Sequence, residues 1–250
     1  MYDILNDIQV SYGETIRTNC PSCKGYNTFS VSNIGGSIVW NCYKASCNVK
    51  GSKNVLWSID DIKNMNNETK EKEFELPKHI VKHTNIYMDR WCARWGLEKE
   101  ELGLLNDVKE DGVVFLIVHN NKIVDATGRA LTKRQPKWKR YGFSSLPYTY
   151  GSGDVAVVVE DCVSAAVVGN VKNLVGVALL GTSLGEEHKQ YLAQFSTVLV
   201  ALDPDAVMKS SYHAQELSNH VENVKVLNLE QDIKYRNPAD MHKLEETIWN

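Results

Sequence analysis

Between Asp154 and Lys209 the chain alternates stretches that are apolar at nearly every position with stretches patterned as helices. Val155 to Val159 ends in Glu160, and Thr197 to Leu202 ends in Asp203-Pro-Asp205. Runs of five or six β-branched and aliphatic residues bounded by acids and turn residues predict strands covered on both faces. Between them lie a small-residue segment, Cys162 to Gly169, a third apolar run, Leu174 to Leu180, and a helical pattern from Gly185 to Phe195. This β-α-β-α-β order predicts a parallel sheet with crossover helices. Ligands of such sheets bind at the carboxyl ends of the strands. Glu160, Asp203 and Asp205 reach that edge from two different strands. Acids gathered there repel one another unless a cation shares them, and carboxylate oxygens suit Mg²⁺. Each acid also has a plain reading, as the cap of the next helix or as turn chemistry in Asp-Pro-Asp.

The same patterning extends in both directions. Downstream, a helix is expected from about Ala206 to Val221 with Lys209 on its first turn, then a strand from Val224 to Leu227, then a final helix after Asp240. Asp232 and Asp240 are further acids beyond a strand, either of which suits a second cation site; Asp240 suits a helix start equally well. Upstream, the spacing of Tyr87, Trp91, Trp95 and Leu97 predicts a helix from Ile86 that ends near Gly96. Gly112 to Val118, a turn at Asn120-Asn121 and Lys122 to Leu131 predict a β-hairpin. His79 and His83 read as the solvated start of a helix rather than as metal ligands. Residues 58–78, polar and charge-mixed, read as a linker.

Charge distribution adds what the total does not. The net charge is −3, which by itself points to no nucleic acid. Residues 121–143 nevertheless carry seven basic residues against the single acid Asp125. These are Lys122, Arg129, Lys133, Arg134, Lys137, Lys139 and Arg140, with Trp138, Tyr141 and Phe143 interleaved. Such a mixture suits phosphates and unpaired bases. No apolar run nears the roughly 20 residues that span a bilayer, and the N-terminus lacks the pattern of a signal peptide. A cytoplasmic, thiol-reducing location is the expectation.

Cysteines supply the second chemistry. Cys20-Pro-Ser-Cys23 and Cys42-Tyr-Lys-Ala-Ser-Cys47 are joined by a segment that reads as a hairpin around Gly35-Gly36. Two close pairs joined in this way predict a closed structural Zn²⁺ site; disulfide pairing or a redox Cys-x-x-Cys are the other readings. From residue 17 to 53 there are five basic residues and no acid. Tyr26, Phe29, Trp40 and Tyr43 there either stack bases or form a small core. Cys92 and Cys162 read as buried small residues. Gly176-x-x-x-x-Gly181-Thr-Ser183 has the glycine spacing of a P-loop without its lysine, so no ATP-driven motor is expected.

The order of these parts resembles DNA primases of the bacterial DnaG and bacteriophage primase–helicase type, whose catalytic core is the Toprim domain. Glu160 and Asp203/Asp205 match that family's glutamate after one strand and Asp-x-Asp after a later one. Leu180 to Leu184 resembles the segment after the intervening strand. Gly128-Arg129-Ala-Leu and Pro136-Lys137-Trp138 resemble motifs of the basic subdomain, and Asn237-Pro-Ala-Asp240 resembles the late acidic motif. The chain departs from the pattern at Asp161 (Gly in bacterial primases), at Ser164 (Asp), at Asn237 (an acid) and in its Cys-x₄-Cys pair. It therefore resembles a divergent viral member without a helicase domain.

The resemblance implies a zinc ribbon over residues 1–57, the linker, a basic α+β subdomain over 79–150 and an α/β Toprim domain over 151–250. It further implies template-directed synthesis of RNA primers on single-stranded DNA from ribonucleoside triphosphates, by two-metal nucleotidyl transfer. Mg²⁺ or Mn²⁺ would be held by Glu160, Asp203 and Asp205, with Asp232 or Asp240 completing a second site, and structural Zn²⁺ by Cys20, Cys23, Cys42 and Cys47. Arg129, Lys133, Arg134, Lys137, Lys139, Arg140 and Lys209 would meet nucleotide and DNA, and a helicase would act from a separate chain. The alternative is a non-catalytic zinc-and-Toprim DNA-binding scaffold of the recombination-mediator type.

Overall fold

The computed structural model describes residue 10 and residues 15–34, 37–54, 74–133, 136–181 and 183–249. They belong to two units, Met1–Lys72 and Glu73–Asn250.

In the first unit four antiparallel strands lie in sequence order: β1 (Thr15–Thr18), β2 (Phe29–Ile34), β3 (Ser37–Cys42) and β4 (Lys50–Asn54). Register pairs Phe29 with Cys42 and Val31 with Trp40. Alternation puts Phe29, Val31 and Trp40 on one face, where they bury with Val10, Cys20 and Cys42. Tyr26 and Tyr43 stay largely exposed. The four aromatics thus divide evenly, two into a thin core and two onto the surface. The Gly35-Gly36 turn falls outside the described residues, as do linker residues 58–73.

The second unit holds two five-stranded sheets over a shared core. One has the order β5-β6-β7-β8-β9, all antiparallel: β5 (Ile80–Val81), β6 (Leu105–Asp107), β7 (Gly112–His119), β8 (Lys122–Ala130) and β9 (Trp138–Arg140). The β7–β8 hairpin turns at Asn120-Asn121, both at positive φ, a conformation asparagine tolerates. Helix α1 (Ile86–Trp95) is capped by the Asn85 side chain, which accepts from the amides of Tyr87 and Met88, and stops at left-handed Gly96. No helix starts at His79, which lies in a turn leading into β5 with Nε2 3.7 Å from the Asp107 carboxylate. Phe74 and Leu76, inside the segment expected as linker, pack instead with Ile80, Leu105, Val114 and Ala126.

The other sheet has the order β10-β12-β11-β13-β14. β11 (Val155–Val159), β12 (Leu174–Ala178), β13 (Thr197–Val200) and β14 (Asn223–Val226) are parallel, and β10 (Tyr148–Gly151) closes one edge antiparallel to β12. Helix α2 (Cys162–Gly169) follows β11, α3 (Glu186–Leu192) follows β12, and α4 (Val207–Leu217) follows β13 through a 3₁₀ turn, Pro204–Ala206. A second 3₁₀ turn (Ile233–Tyr235) and α5 (Pro238–Trp249) end the unit.

Every residue of β11 and β12 is buried, because both faces are covered. Val155, Val157 and Val159 face a core that also takes α1, α2 and Phe115 of β7. Ala156 and Val158 face the opposite core, with Leu192 of α3 and Leu217 of α4. Residues 79–150 and 151–250 therefore share one core within one unit. Gly176, the first glycine of the P-loop-like string, lies in mid-strand. A Cβ there would run into the Ala165 carbonyl, so this glycine serves close packing of α2 on β12. Cys92 and Cys162 are buried in the shared core, as expected of small apolar residues. Among the described residues no helix is long and apolar enough to cross a membrane.

Candidate active site and metal centres

The strand order defines where the acids fall. From β11 the chain crosses to β12 on one side, then passes back over β11 to β13 on the other. α2 and α4 consequently leave neighbouring strands toward opposite faces, the arrangement that opens a crevice at the strands' carboxyl ends. Register Val158↔Val200 brings Glu160, just past β11, level with the end of the β13 run that leads to Asp203. Glu160, Asp203 and Asp205 each offer an oxygen within 4.8 Å of the others.

Asp203-Pro-Asp205 does form the expected turn, but side-chain capping does not account for Glu160 or Asp203. The residue that caps α2 is Asp161, whose Oδ1 accepts from the amides of Val163 and Ser164 at 3.0 Å each. Asp203 precedes the 3₁₀ turn but makes no side-chain cap bond. Burial pushes the Glu160 carboxyl up and Asp205 adds to this, while the Asp203 amide works the other way. Burial pushes Asp203 further, to about 7, reinforced by Asp232 and then Glu160. Charge has been gathered here without full compensation, which is the state a divalent cation would relieve. Beside it the chain bends unusually: Leu180, whose amide donates to the Glu160 carbonyl at 3.0 Å, has φ of 59°.

Next to this trio the charges are partly compensated, one ammonium serving two carboxylates. The Lys234 ammonium lies 3.0 Å from Asp161 Oδ2 and in direct contact with Asp232 Oδ2. Burial alone would lower Lys234, but Asp161 and Asp232 outweigh it and hold the ammonium well above its ordinary range. Ser164 Oγ donates to Asp232 Oδ1 at 3.1 Å, so the serine that replaces an expected acid supplies a proton where an acid would add repulsion. Asp232 thus stands beside the trio as expected, but engaged. Asp240 does not. It is fully buried, and its two oxygens accept from the amides of Glu230 and Gln231 at 2.9 to 3.1 Å. Burial works against its charge, yet those amides and Lys243 hold its carboxyl below the usual range. Asp240 braces the loop after β14 rather than completing a cation site. Sequence reasoning missed Lys234; the available signal was a lysine two residues after an acid in a short turn.

The basic segment separates in the same way. Lys133 and Lys137 are exposed, and Arg134 falls outside the described residues. Arg129 stacks over Trp138 at 5.6 Å and Lys139 over Tyr141 at 5.2 Å, with Lys139 also 3.2 Å from Glu110. Arg140 is structural: Nε bonds buried Asp125 at 3.0 Å and its guanidinium reaches the Ser144 carbonyl. Gly128 of the Gly-Arg pair leaves room for Tyr141, whose hydroxyl would stand 2.6 Å from a Cβ there and which donates to buried Asp107. Phe143 is fully exposed. Lys209, on the first turn of α4, lowers the Glu160 carboxyl by its charge.

In the first unit the four cysteine sulfurs lie within 4.8 Å of one another. Cys20 and Cys47 are 3.9 Å apart and Cys23 and Cys42 are 3.7 Å apart, too far for disulfides. Tetrahedral zinc with bonds of about 2.3 Å requires sulfurs about 3.8 Å apart. The cluster is compatible with structural zinc. The Cys42 thiol is brought down to about 6, chiefly by the Thr28 hydroxyl, whereas Cys47, against the Val49 amide, is pushed up to about 12 by burial and the neighbouring sulfurs.

No protein-family model matches the sequence, and no curated protein matches it. Solved structures do. The DnaG primase catalytic domain bound to single-stranded DNA is similar at 19% identity and a TM-score of 0.45, over 63% of this chain and 64% of that domain. The chain therefore spans less than two thirds of that catalytic domain. The zinc-binding and RNA polymerase domains of Aquifex aeolicus primase are similar at 16% identity and a TM-score of 0.46, over 98% of this chain and 82% of that one. The primase fragment of the bacteriophage T7 primase-helicase protein is similar at 14% identity and a TM-score of 0.46, over 94% of this chain and 99% of the fragment. The fold class is the one expected, a small antiparallel sheet at a four-cysteine cluster followed by an α/β unit with a parallel sheet.

Proposed function

We propose that this chain is a DNA primase that makes short RNA primers on single-stranded DNA from ribonucleoside triphosphates. The observation that carries the reading is the convergence of Glu160, Asp203 and Asp205 within 4.8 Å at the crevice between β11 and β13, with the Glu160 and Asp203 carboxyls held up by burial and by neighbouring acids. The resemblance of the Glu160 and Asp203-Pro-Asp205 motifs, and of Gly128-Arg129 and Lys137-Trp138, to primase motifs supports the reading.

The oxygen donor set fits Mg²⁺ or Mn²⁺, and Glu160, Asp203 and Asp205 would hold it. Such an ion supplies Lewis-acid activation of a hydroxyl nucleophile and charge stabilisation at the phosphorus under attack. The chain's own residues do the rest. The Asp203 carboxyl, raised to about 7, keeps the site from carrying its full negative charge before a cation binds, and so lessens repulsion of an incoming triphosphate. Arg129, Lys133, Lys137 and Lys139, with Arg134 beyond the described residues, neutralise triphosphate and template backbone. Stacking over Trp138 and Tyr141 fixes two of these cations in place. Lys209 adds positive charge beside Glu160. The zinc unit, with Arg17 over exposed Tyr43 at 5.1 Å, would contact the unpaired template. A replicative helicase is the expected partner.

The test is primer synthesis de novo on single-stranded DNA with labelled ribonucleotides and Mg²⁺. Short RNA products are expected, and Glu160→Gln should lower them by at least about 10²-fold, the scale of losing a principal electrostatic element. DNA binding without products, with a helicase present, would favour the non-catalytic scaffold.

A further inference from the structure

We propose that Lys234 is a fixed counter-ion that closes the Asp161–Asp232 end of the acidic edge to divalent cations. The edge then takes one such ion, at Glu160, Asp203 and Asp205, rather than two. What that ion serves rests on the primase reading; how many are bound does not.

The argument is an account of lone pairs and charge. Asp161 Oδ1 accepts from two backbone amides, and its Oδ2 faces the ammonium at 3.0 Å. Asp232 Oδ1 accepts from the Ser164 hydroxyl and the Lys234 amide, and its Oδ2 contacts the same ammonium. All four oxygens already have donors, whereas Asp203 has no cap bond at all. Each Oδ2 has the ammonium as its one donor in that account and keeps a lone pair, so a metal entering between Asp203 and Asp232 reaches it only by sitting against a positive charge. That charge cannot leave, because it is tethered.

Lys234 is also braced. It lies in the 3₁₀ turn Ile233–Tyr235, its amide bonds the acid that its side chain pairs with, and its side chain is only 17% exposed. Asp161 in turn is tied to the start of α2, a helix buried along nearly its whole length. Two elements that pack on the same face of the sheet, the start of α2 and the 3₁₀ turn, thus hold the ammonium where a second cation would go. The two substitutions against the primase pattern at this end, Asp161 and Ser164, are the ones the lysine needs. One provides its second carboxylate, and the other replaces an acid with a donor.

The experiment counts ions. Mn²⁺ is titrated into the full chain and bound metal followed by electron paramagnetic resonance, subtracting what the Asp203→Asn/Asp205→Asn protein binds. The unaltered protein should bind one Mn²⁺, Lys234→Met two, and Lys234→Arg one, with at least a tenfold gain in affinity for the second ion in the methionine protein. Two ions in the unaltered or arginine protein would overturn the proposal, as would a folded methionine protein that still binds one. Should Lys234→Met fail to fold, the unaltered count decides. Primer synthesis is scored separately. A protein that binds one ion and makes no primer removes the primase reading alone, and one that binds two and makes primers removes the counter-ion alone.

Discussion

The two metal-competent clusters are built on opposite principles. In the first unit, four sulfurs from one loop and from the end of β3 with the turn after it meet over a core of a few side chains, and the cysteines are themselves part of that core: Cys20 and Cys42 bury with Phe29, Val31 and Trp40. In the second unit, the carboxylates stand at the rim of a sheet whose strands are buried on both faces by helices and a second sheet. The cysteine cluster is compatible with an ion that completes a fold. Under the proposed function, the carboxylates would hold one that serves a reaction. Ligands that double as core make metal a structural element, and ligands mounted on a finished core leave it exchangeable.

The largest test of this contrast is metal removal. A strong chelator should unfold the first unit, since structural zinc contributes on the order of 10 kcal/mol in small domains, while leaving the melting of residues 73–250 unchanged. Circular dichroism with and without chelator, on the full chain and on Cys42→Ser, checks this; a coincident loss of both units would break the comparison. For the second unit the equivalent blow is to packing. Gly176→Ala forces a methyl against the Ala165 carbonyl and should cost about 3 kcal/mol, read as a lowered midpoint in urea with the zinc unit unaffected.

The smallest expected effect concerns the acids. Asp203 titrates near 7 in the folded chain, against about 3.9 when unfolded. Its neutral form therefore favours the fold fully below about pH 4. That contribution is lost as pH rises through 7. Asp203→Asn should raise the stability of the metal-free protein at pH 8 by roughly 1–2 kcal/mol, after allowing for solvent screening. At pH 4 it should change little. Primer synthesis should disappear at both values. Thermal melts at the two pH values read the first part, and a destabilised mutant at pH 8 would mean the trio is compensated after all.

Much of this was legible in the sequence, for physical reasons. A strand covered on both faces writes itself as an unbroken apolar run, so β11 and the Glu160 that follows it were visible at once. The β7–β8 hairpin declared itself through Asn120-Asn121, and the cysteine cluster through spacing. Short edge strands such as β5, β9 and β10 carry too few residues to show a period, and pairing partners far along the chain decide them. Long-range charge pairs are equally silent. Nothing near Lys234 announces Asp161, 73 residues away. Nothing near Asp240 announces that its oxygens are spent on the amides of Glu230 and Gln231. A linker reading over 74–78 failed because two apolar side chains in a polar stretch suffice to dock it.

Helix α2 has seven of its eight residues buried in the shared core. Its amides should exchange with deuterated solvent only when the whole unit opens. The Glu160–Asp161 pair hangs from that slowest-exchanging element, while β9, a three-residue strand on the sheet edge, carries its basic side chains on a segment that should exchange early. The molecule thus pairs a rigid anvil with a pliant grip, and a deuterium pulse would label one long before the other.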